Sequence, residues 1–279
     1  MVTIAGVMRE AIYSPNNVDK DAAIFNAVVE QLQGKQCVVN LYSEQQLRAG
    51  VVSESVILNM CRDWDSIKML QSLEREGRLV INSAFGIENC TRERMTKGLL
   101  DNNIPTADTL IVDTDSEVTG FSFDECWVKR GDFHAVERED VSFCRSQEEV
   151  HAVLNLYHQR GIKRAVINKH LTGDLVKFYG VQDSEFFYWF YPLAAGHSKY
   201  GHEYINGVSK GITVDVKQMT QICQDASHAL NVGIYGGDCV VGEDGTIRII
   251  DFNDFPSFSP CREQVAPHIA EYIIKQIGL

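Results

Sequence analysis

Apolar and polar positions alternate along this chain in two rhythms. Residues 2–8, 37–42, 55–60 and 79–82 are short apolar runs of strand length. Between them apolar residues recur at helical spacing. Ile24, Phe25, Val28, Val29 and Leu32 share one face, Gly34 closes the run, and Asp19 or Asp21 stands where a cap is needed. Residues 64–76 repeat the pattern and stop at Gly77. Strand, helix, strand in this order predicts a parallel sheet with helices on its faces. Ligands of such sheets gather at the carboxyl ends of strands, which here are residues 14–17 and 59–62.

The rhythm then changes. A helix is predicted over 92–102, stopped by Asn103 and Pro105. Strands follow over 126–130 and 164–168 with a helix over 147–160 between them, then strands over 175–181 and 186–191 and a helix over 215–231. Two last strands, 237–242 and 246–253, are joined by Glu243-Asp244-Gly245, a strong hairpin signal, and a helix over 261–277 follows.

Composition narrows the classes. The 279 residues are 44% hydrophobic and 23% charged, which suits a soluble globular chain and excludes a disordered or collagen-like one. Against 26 Lys and Arg stand 38 Asp and Glu, a net charge of -12 that disfavours non-specific attraction to nucleic acid or anionic membrane. Neither is expected as a partner. The eight cysteines show no CxxC spacing, and several lie in apolar runs, as reduced buried thiols do. With no basic leader and no 18-residue apolar stretch, the expected location is the cytoplasm.

Known catalytic motifs are missing: there is no GxxxxGK[ST] loop, no GxGxxG after the first strand, no GxSxG and no HExxH. The informative stretch is YGGDCVVGEDGTIRIIDFNDFPSFSPCR, residues 235–262. Side chains in a strand alternate faces, so Asp251 and Asn253 point one way, and Asp238 on the partner strand can face them. Two carboxylates and an amide oxygen are ligands that suit Mg²⁺. Taken alone, the same residues serve equally well as turn residues at a strand end. The apolar run 247–250 tips the balance, because an acid at its end, opposite another acid, is costly without a cation.

Asp, twelve residues, then Asp-Phe-Asn-Asp-x-Pro, preceded by G-x-Y-G-G, resembles the C-terminal metal-binding segment of the ATP-grasp superfamily, in particular its glutathione synthetase and ribosomal-protein glutamate ligase branch. The resemblance implies an α/β fold in which two α/β subdomains clamp ATP behind an N-terminal parallel α/β domain. The divisions expected are 1–90, 91–170 and 171–279. It implies ATP-dependent ligation, in which a substrate carboxylate takes the γ-phosphoryl group and the acyl phosphate is captured by an amine or thiol. Mg²⁺ would be held by Asp238, Asp251 and Asn253, with Asp251 where the family usually has Glu.

The same resemblance assigns further residues. Lys129, in the apolar strand CWVKRG, matches the lysine that reaches the ATP phosphates, and Arg94 falls where relatives carry an earlier phosphate lysine, with Arg92 an equal candidate. Asn168, Lys169, His170 and Leu171 match the hinge whose backbone holds adenine, although relatives usually have Glu where Lys169 stands. Asp174 matches a ribose-side acid and Lys177 a phosphate-facing base. The Gly-rich flap of relatives is replaced by RGDFHA at 130–135, which offers Arg130 and His134 as side-chain contacts; Lys199 is a further candidate for the nucleotide.

For the acceptor pocket the expected residues are Ser14, Asn16, Arg62, Ser257 and Arg262, with the two arginines suited to grip a carboxylate. Arg262, Lys129 and Lys177 are the expected catalytic residues. The expected partners are a small carboxylate and an amine or thiol acceptor, such as an amino acid or peptide, with a homodimer left open. Two alternatives remain: a small-molecule kinase, and a nucleotide-binding protein without turnover.

Overall fold

A computed structural model describes residues 2–14, 17–118, 123–133, 137–192, 205 and 207–279. Its strands fall into three four-stranded sheets, met in sequence order.

The first sheet is built from β1 (Thr3–Met8), β2 (Val38–Ser43), β3 (Val56–Asn59) and β4 (Leu79–Ile81), ordered β2-β1-β3-β4 and parallel throughout. Both faces are apolar because successive residues go to opposite sides. Ile4, Val56, Leu58 and Ile81 join one core with α1 (Val18–Gly34), while Ala5, Val7, Ile57 and Val80 join another with α2 (Glu44–Arg48) and α3 (Trp64–Arg75). Helix α1 starts at Val18 with Asn17 at the N-cap position, one turn earlier than an Asp21 cap would allow; Asp19 and Asp21 lie in its first turn, where acids favour the helix dipole.

After α4 (Ala84–Asn89) and α5 (Arg92–Asp101), the second sheet is antiparallel: β5 (Thr109–Asp113), β6 (Cys126–Arg130), β7 (Val141–Cys144) and β8 (Arg164–Lys169), ordered β5-β8-β6-β7. Its apolar face covers α6 (Gln147–Gln159) through Val128, Ile167, Val150, Leu154 and Tyr157. The third sheet holds β9 (Asp174–Val181), β10 (Phe187–Phe190), β11 (Ile234–Val241) and β12 (Ile247–Asp254), ordered β10-β9-β11-β12. Val176, Phe178, Cys239, Ile249 and Phe252 pack from it onto α5 and α7 (Val216–Leu230). Its alternate residues, Lys177, Asp238 and Asp251 among them, are turned away from that core.

The last helix, α8 (Arg262–Ile277), returns to the first sheet and packs beside α1, so the end of the chain completes the core of its beginning. A second tie is polar. Asn82 donates to the Ile234 carbonyl and accepts from the Ile234 N–H, both at 2.8 Å, and so pins β11 to the end of β4. All eight cysteines are buried and none is in a disulfide. No helix among the described residues is long and apolar enough to cross a membrane.

Candidate functional site

The hairpin of β11 and β12 sets the centre of the site. Asp238 and Asp251 are direct cross-strand partners, with a bulge just after Asp238, and Asn253 lies two residues along on the face of Asp251. Gly237 allows this approach: a Cβ there would collide with the Asp251 carbonyl oxygen. Each carboxylate meets a cation of the chain itself. Lys177 Nζ lies 2.6 Å from Asp238 Oδ1, and Arg92 Nη1 is bonded to Asp251 Oδ1. Burial works to raise the Asp251 carboxyl, but Arg92, Lys129 and the Asn253 amide together hold it below the usual carboxylate value.

Lys129 approaches from the second sheet. It is 7% exposed, and its Nζ donates to the Ile250 carbonyl at 3.1 Å. Burial first, and then the Arg92 charge, pull it down to about 8. Arg92, Lys129, Asp238 and Asp251 line one cavity of about 140 Å³ between the two antiparallel sheets, with Trp127, Asn168, Lys169, His170, Leu171 and Leu175 around it; Lys177 and Asn253 stand outside that lining and reach it through Asp238 and Asp251.

Not every expected residue lies where its role requires. Arg94 does not: its side chain is 55% exposed and paired to Glu88 at 2.8 Å. Two residues along a helix is about 200° around it, so Arg92 and Arg94 cannot face the same cleft. Arg92 is the cavity residue, on the buried face of α5 with Met95 and Leu99. That i, i+3, i+7 spacing was the signal that could have singled it out.

Along the hinge, the N–H groups of Lys169 and His170 donate to the Asp108 and Glu125 carbonyls at 2.8 and 2.9 Å, so sheet edges rather than an adenine take these two donors. Lys169 Nζ sits 3.5 Å from Asp108, and Asn168 Nδ2 donates to Thr109 Oγ1 at 2.7 Å. His170 Nδ1 accepts from Trp127 Nε1 at 3.1 Å, and burial holds the imidazole below its ordinary value.

Asp174 is not open to a ribose. It accepts from the N–H groups of Lys210 and Ile212 at 2.7 and 2.8 Å and from Ser209 Oγ at 2.9 Å. Burial opposes its ionisation, yet these bonds hold the carboxyl below its usual value. It anchors the segment before α7.

In the expected acceptor pocket, Ser14 Oγ donates to Asp21 Oδ2 at 2.7 Å, and Ser257 shares a hydrogen bond with Ser259. Arg62 is not free to grip a carboxylate: it is buried, donates to the Asp254 carbonyl at 3.2 Å, and places Nη2 2.8 Å from the Asp254 carboxylate. Arg9, which sequence reasoning missed, reinforces this buried group by binding Asp21 and the Met60 carbonyl. Arg262 opens α8 half-buried, with its Nε buried and without a hydrogen-bond partner. Asn16, His134 and Lys199 lie outside the described residues.

No family model matches the sequence. No curated protein matches it either. Solved structures do. The D-alanine–D-alanine ligase from Bacillus anthracis complexed with ATP superposes with a TM-score of 0.67 at 13% identity, over 99% of this chain and 97% of that one. The D-alanine–D-alanine ligase from Coxiella burnetii gives 0.67 at 13% identity over 99% and 95%, and D-alanyl-alanine synthetase A from Vibrio cholerae gives 0.66 at 11% over 99% and 97%. The chain has the ATP-grasp fold. At this level of identity the likeness is one of architecture, and it extends over nearly the whole of both chains.

Proposed function

We propose that this ATP-grasp protein is an ATP- and Mg²⁺-dependent carboxylate–amine or carboxylate–thiol ligase that acts through an acyl phosphate on a small amino acid or peptide. One observation carries the reading. Three cations from three different elements, Arg92, Lys129 and Lys177, converge with Asp238, Asp251 and Asn253 where the two antiparallel sheets face each other. Full-length likeness to ligases, one of them complexed with ATP, supports it. The division into an N-terminal domain, 1–90, and two clamp subdomains, 91–170 and 171–279, belongs to the same proposal.

The donor set fits the metal. Two carboxylates and an amide oxygen are hard ligands, too few for a cage made by protein alone but suited to Mg²⁺, which shares its shell with phosphate and water. Among the described residues no cluster of three or more His, Cys, Asp or Glu forms such a cage. When bound, the ion would neutralise charge developing on the transferring phosphoryl group. The rest falls to the chain. Arg92, Lys129 and Lys177 exchange their present partners for phosphate oxygens and align the γ-phosphate for in-line attack by the substrate carboxylate. ADP leaves, and the amine or thiol then attacks the acyl carbon of the acyl phosphate, forming the amide or thioester as inorganic phosphate departs and the nucleophile gives up its proton. Arg262, whose Nε has no hydrogen-bond partner, is the candidate to hold the acceptor.

The cavity of about 140 Å³ is smaller than the roughly 300 Å³ of a small ligand pocket but opens to solvent, so a nucleotide would have to lie partly outside it or widen it. The pairing of Arg92 and Lys177 with Asp251 and Asp238, the same residues that turnover would need for phosphate and metal, is what favours the reading of a nucleotide binder without turnover. Thermal melting with Mg²⁺, with ATP and with both, followed by a screen of amino acids and short peptides for ADP release with amide formation, separates the two. Ligation requires a stabilising shift that needs both additives, and ADP release that needs a substrate. A shift without any ADP release supports the binder, and no shift at all defeats both.

A further inference from the structure

The loop leaving β6 begins from a rigid base. Gly131 donates its N–H to the Arg164 carbonyl at 2.8 Å, and its own carbonyl accepts from Glu93 N–H at 3.0 Å, so it is fixed between β8 and α5. A Cβ there would stand 3.0 Å from Arg164 Cβ and 3.1 Å from its carbonyl, so tight that the neighbouring strand would have to give by a few tenths of an ångström. Arg130 then folds onto Asp132 through Nε and Nη2, at 2.8 and 3.1 Å.

From this base Phe133 reaches the first domain. Its ring lies 5.7 Å from that of Trp64 and 6.3 Å from that of Tyr13, the second contact edge-on. Both receiving rings are held. Tyr13 donates its hydroxyl to Asp63 Oδ2 at 3.1 Å, and Asp63 caps α3, whose first residue is Trp64. Tyr13 follows β1 and Trp64 follows β3, the carboxyl ends of neighbouring parallel strands, where ligands of such sheets collect. Phe133 thus joins the strand that carries Lys129 to the mouth of the first sheet.

We infer that Phe133 is a positioning residue, an aromatic latch that holds the nucleotide cleft shut against the N-terminal domain and sets how fast the cleft exchanges its contents. The inference rests on the ligase reading for what is enclosed, but not for the contact itself. The first sheet is tied to the third through α8 and Asn82, so parting the second sheet from the third has to break the Phe133 contacts. Two oriented aromatic contacts together shift an open–closed equilibrium by about tenfold or more.

The test uses full-length wild type, Phe133→Ala, Phe133→Tyr, Trp64→Ala and the Trp64→Ala/Phe133→Ala double variant. A fluorescent ATP analogue is loaded with Mg²⁺ and chased with excess ATP, and amide exchange in the first turn of α3 is followed without nucleotide. Phe133→Ala should release the analogue about tenfold faster and expose those amides, and Phe133→Tyr should restore both. The double variant should be no faster than the quicker single one, because both substitutions break the same contact. Equal release from wild type and Phe133→Ala overturns the latch, as does a fully additive double variant. If wild type binds no analogue, the ligase reading fails, and the exchange measurement decides alone: unchanged α3 amides in Phe133→Ala overturn the latch, and faster exchange upholds the contact.

Discussion

Lys129 is the most exacting place to test the site, because its cost to the fold follows from its surroundings. The ammonium is 7% exposed, has one hydrogen bond, to the Ile250 carbonyl, and stands near Arg92 as well as near Asp251 and Asp238. Burial and the Arg92 charge outweigh the two acids, and the group falls from 10.5 to about 8. At neutral pH it is still protonated, so the folded protein keeps a charge that the unfolded chain solvates freely. That fall from 10.5 to about 8 is a penalty on the order of 3 kcal/mol. Lys129→Met keeps the stem and removes the charge, at the loss of one hydrogen bond worth about 1 kcal/mol. The variant should therefore be about 2 kcal/mol more stable at neutral pH, with a Tm about 5 °C higher.

The pH dependence has a definite sign. Below pH 8 the lysine is protonated in both folded and unfolded chains, and the penalty is complete. Between about 8 and 10.5 the folded protein sheds its proton first, the unfolded chain binds more protons, and wild type gains stability. The advantage of Lys129→Met should accordingly shrink as pH rises through that window. Urea denaturation of both proteins at about pH 7 and about pH 10 reads it directly. A variant no more stable than wild type at neutral pH, or an advantage that stays constant, refutes the reasoning. Under the ligase reading the same variant loses nucleotide affinity by at least about tenfold, so a more stable protein would be a less functional one.

Asp251→Asn should abolish the joint Mg²⁺ and ATP melting shift and destabilise by about 3 kcal/mol, since Arg92 and Lys129 lose a buried counter-charge; a retained shift removes Asp251 from the metal site. Asp174→Ala should lower stability by about 2–3 kcal/mol while leaving ATP affinity within about twofold, by calorimetry. A large loss of affinity in a stable variant would instead restore its assignment to the ribose. Asn82→Ala strips partners from both polar groups of the Ile234 backbone and should cost about 2–3 kcal/mol in denaturant unfolding; a neutral substitution would show that the tie between β4 and β11 contributes nothing.

The parts of the fold that were legible are those in which local pattern and tertiary role coincide. The buried runs of the first sheet and the Asp-Gly turn of the last hairpin are such cases, and the turn fixes the register that sets Asp238 against Asp251. The missed elements lacked a pattern. Helices α2 and α4 have five and six residues, too short for a helical period to repeat. β5 is a half-buried edge strand without strict alternation, and β7 is the opposite edge of the same sheet. Arg94 was a different error: position along the sequence was matched, whereas position around the helix decides which side chain enters the cleft. Arg62 with Asp254, Asn82 with Ile234 and Phe133 with Trp64 could not be read at all, because each joins separate sheets through topology rather than through local spacing.

Under the ligase reading, charge pairing explains why the site should load two ligands together. Arg92 and Lys177 satisfy Asp251 and Asp238, and every one of these charges is at least half-buried. A triphosphate alone would draw the cations away and strand two carboxylates in a low-dielectric cleft. A divalent cation alone would take the carboxylates and strand an arginine and a lysine beside it. Either step leaves buried charge uncompensated, which costs several kcal/mol. When both enter, phosphates take the cations and the metal takes the acids, so all partners are exchanged and none is lost. The same pairing is thus the reason that neither ligand should stabilise the protein without the other.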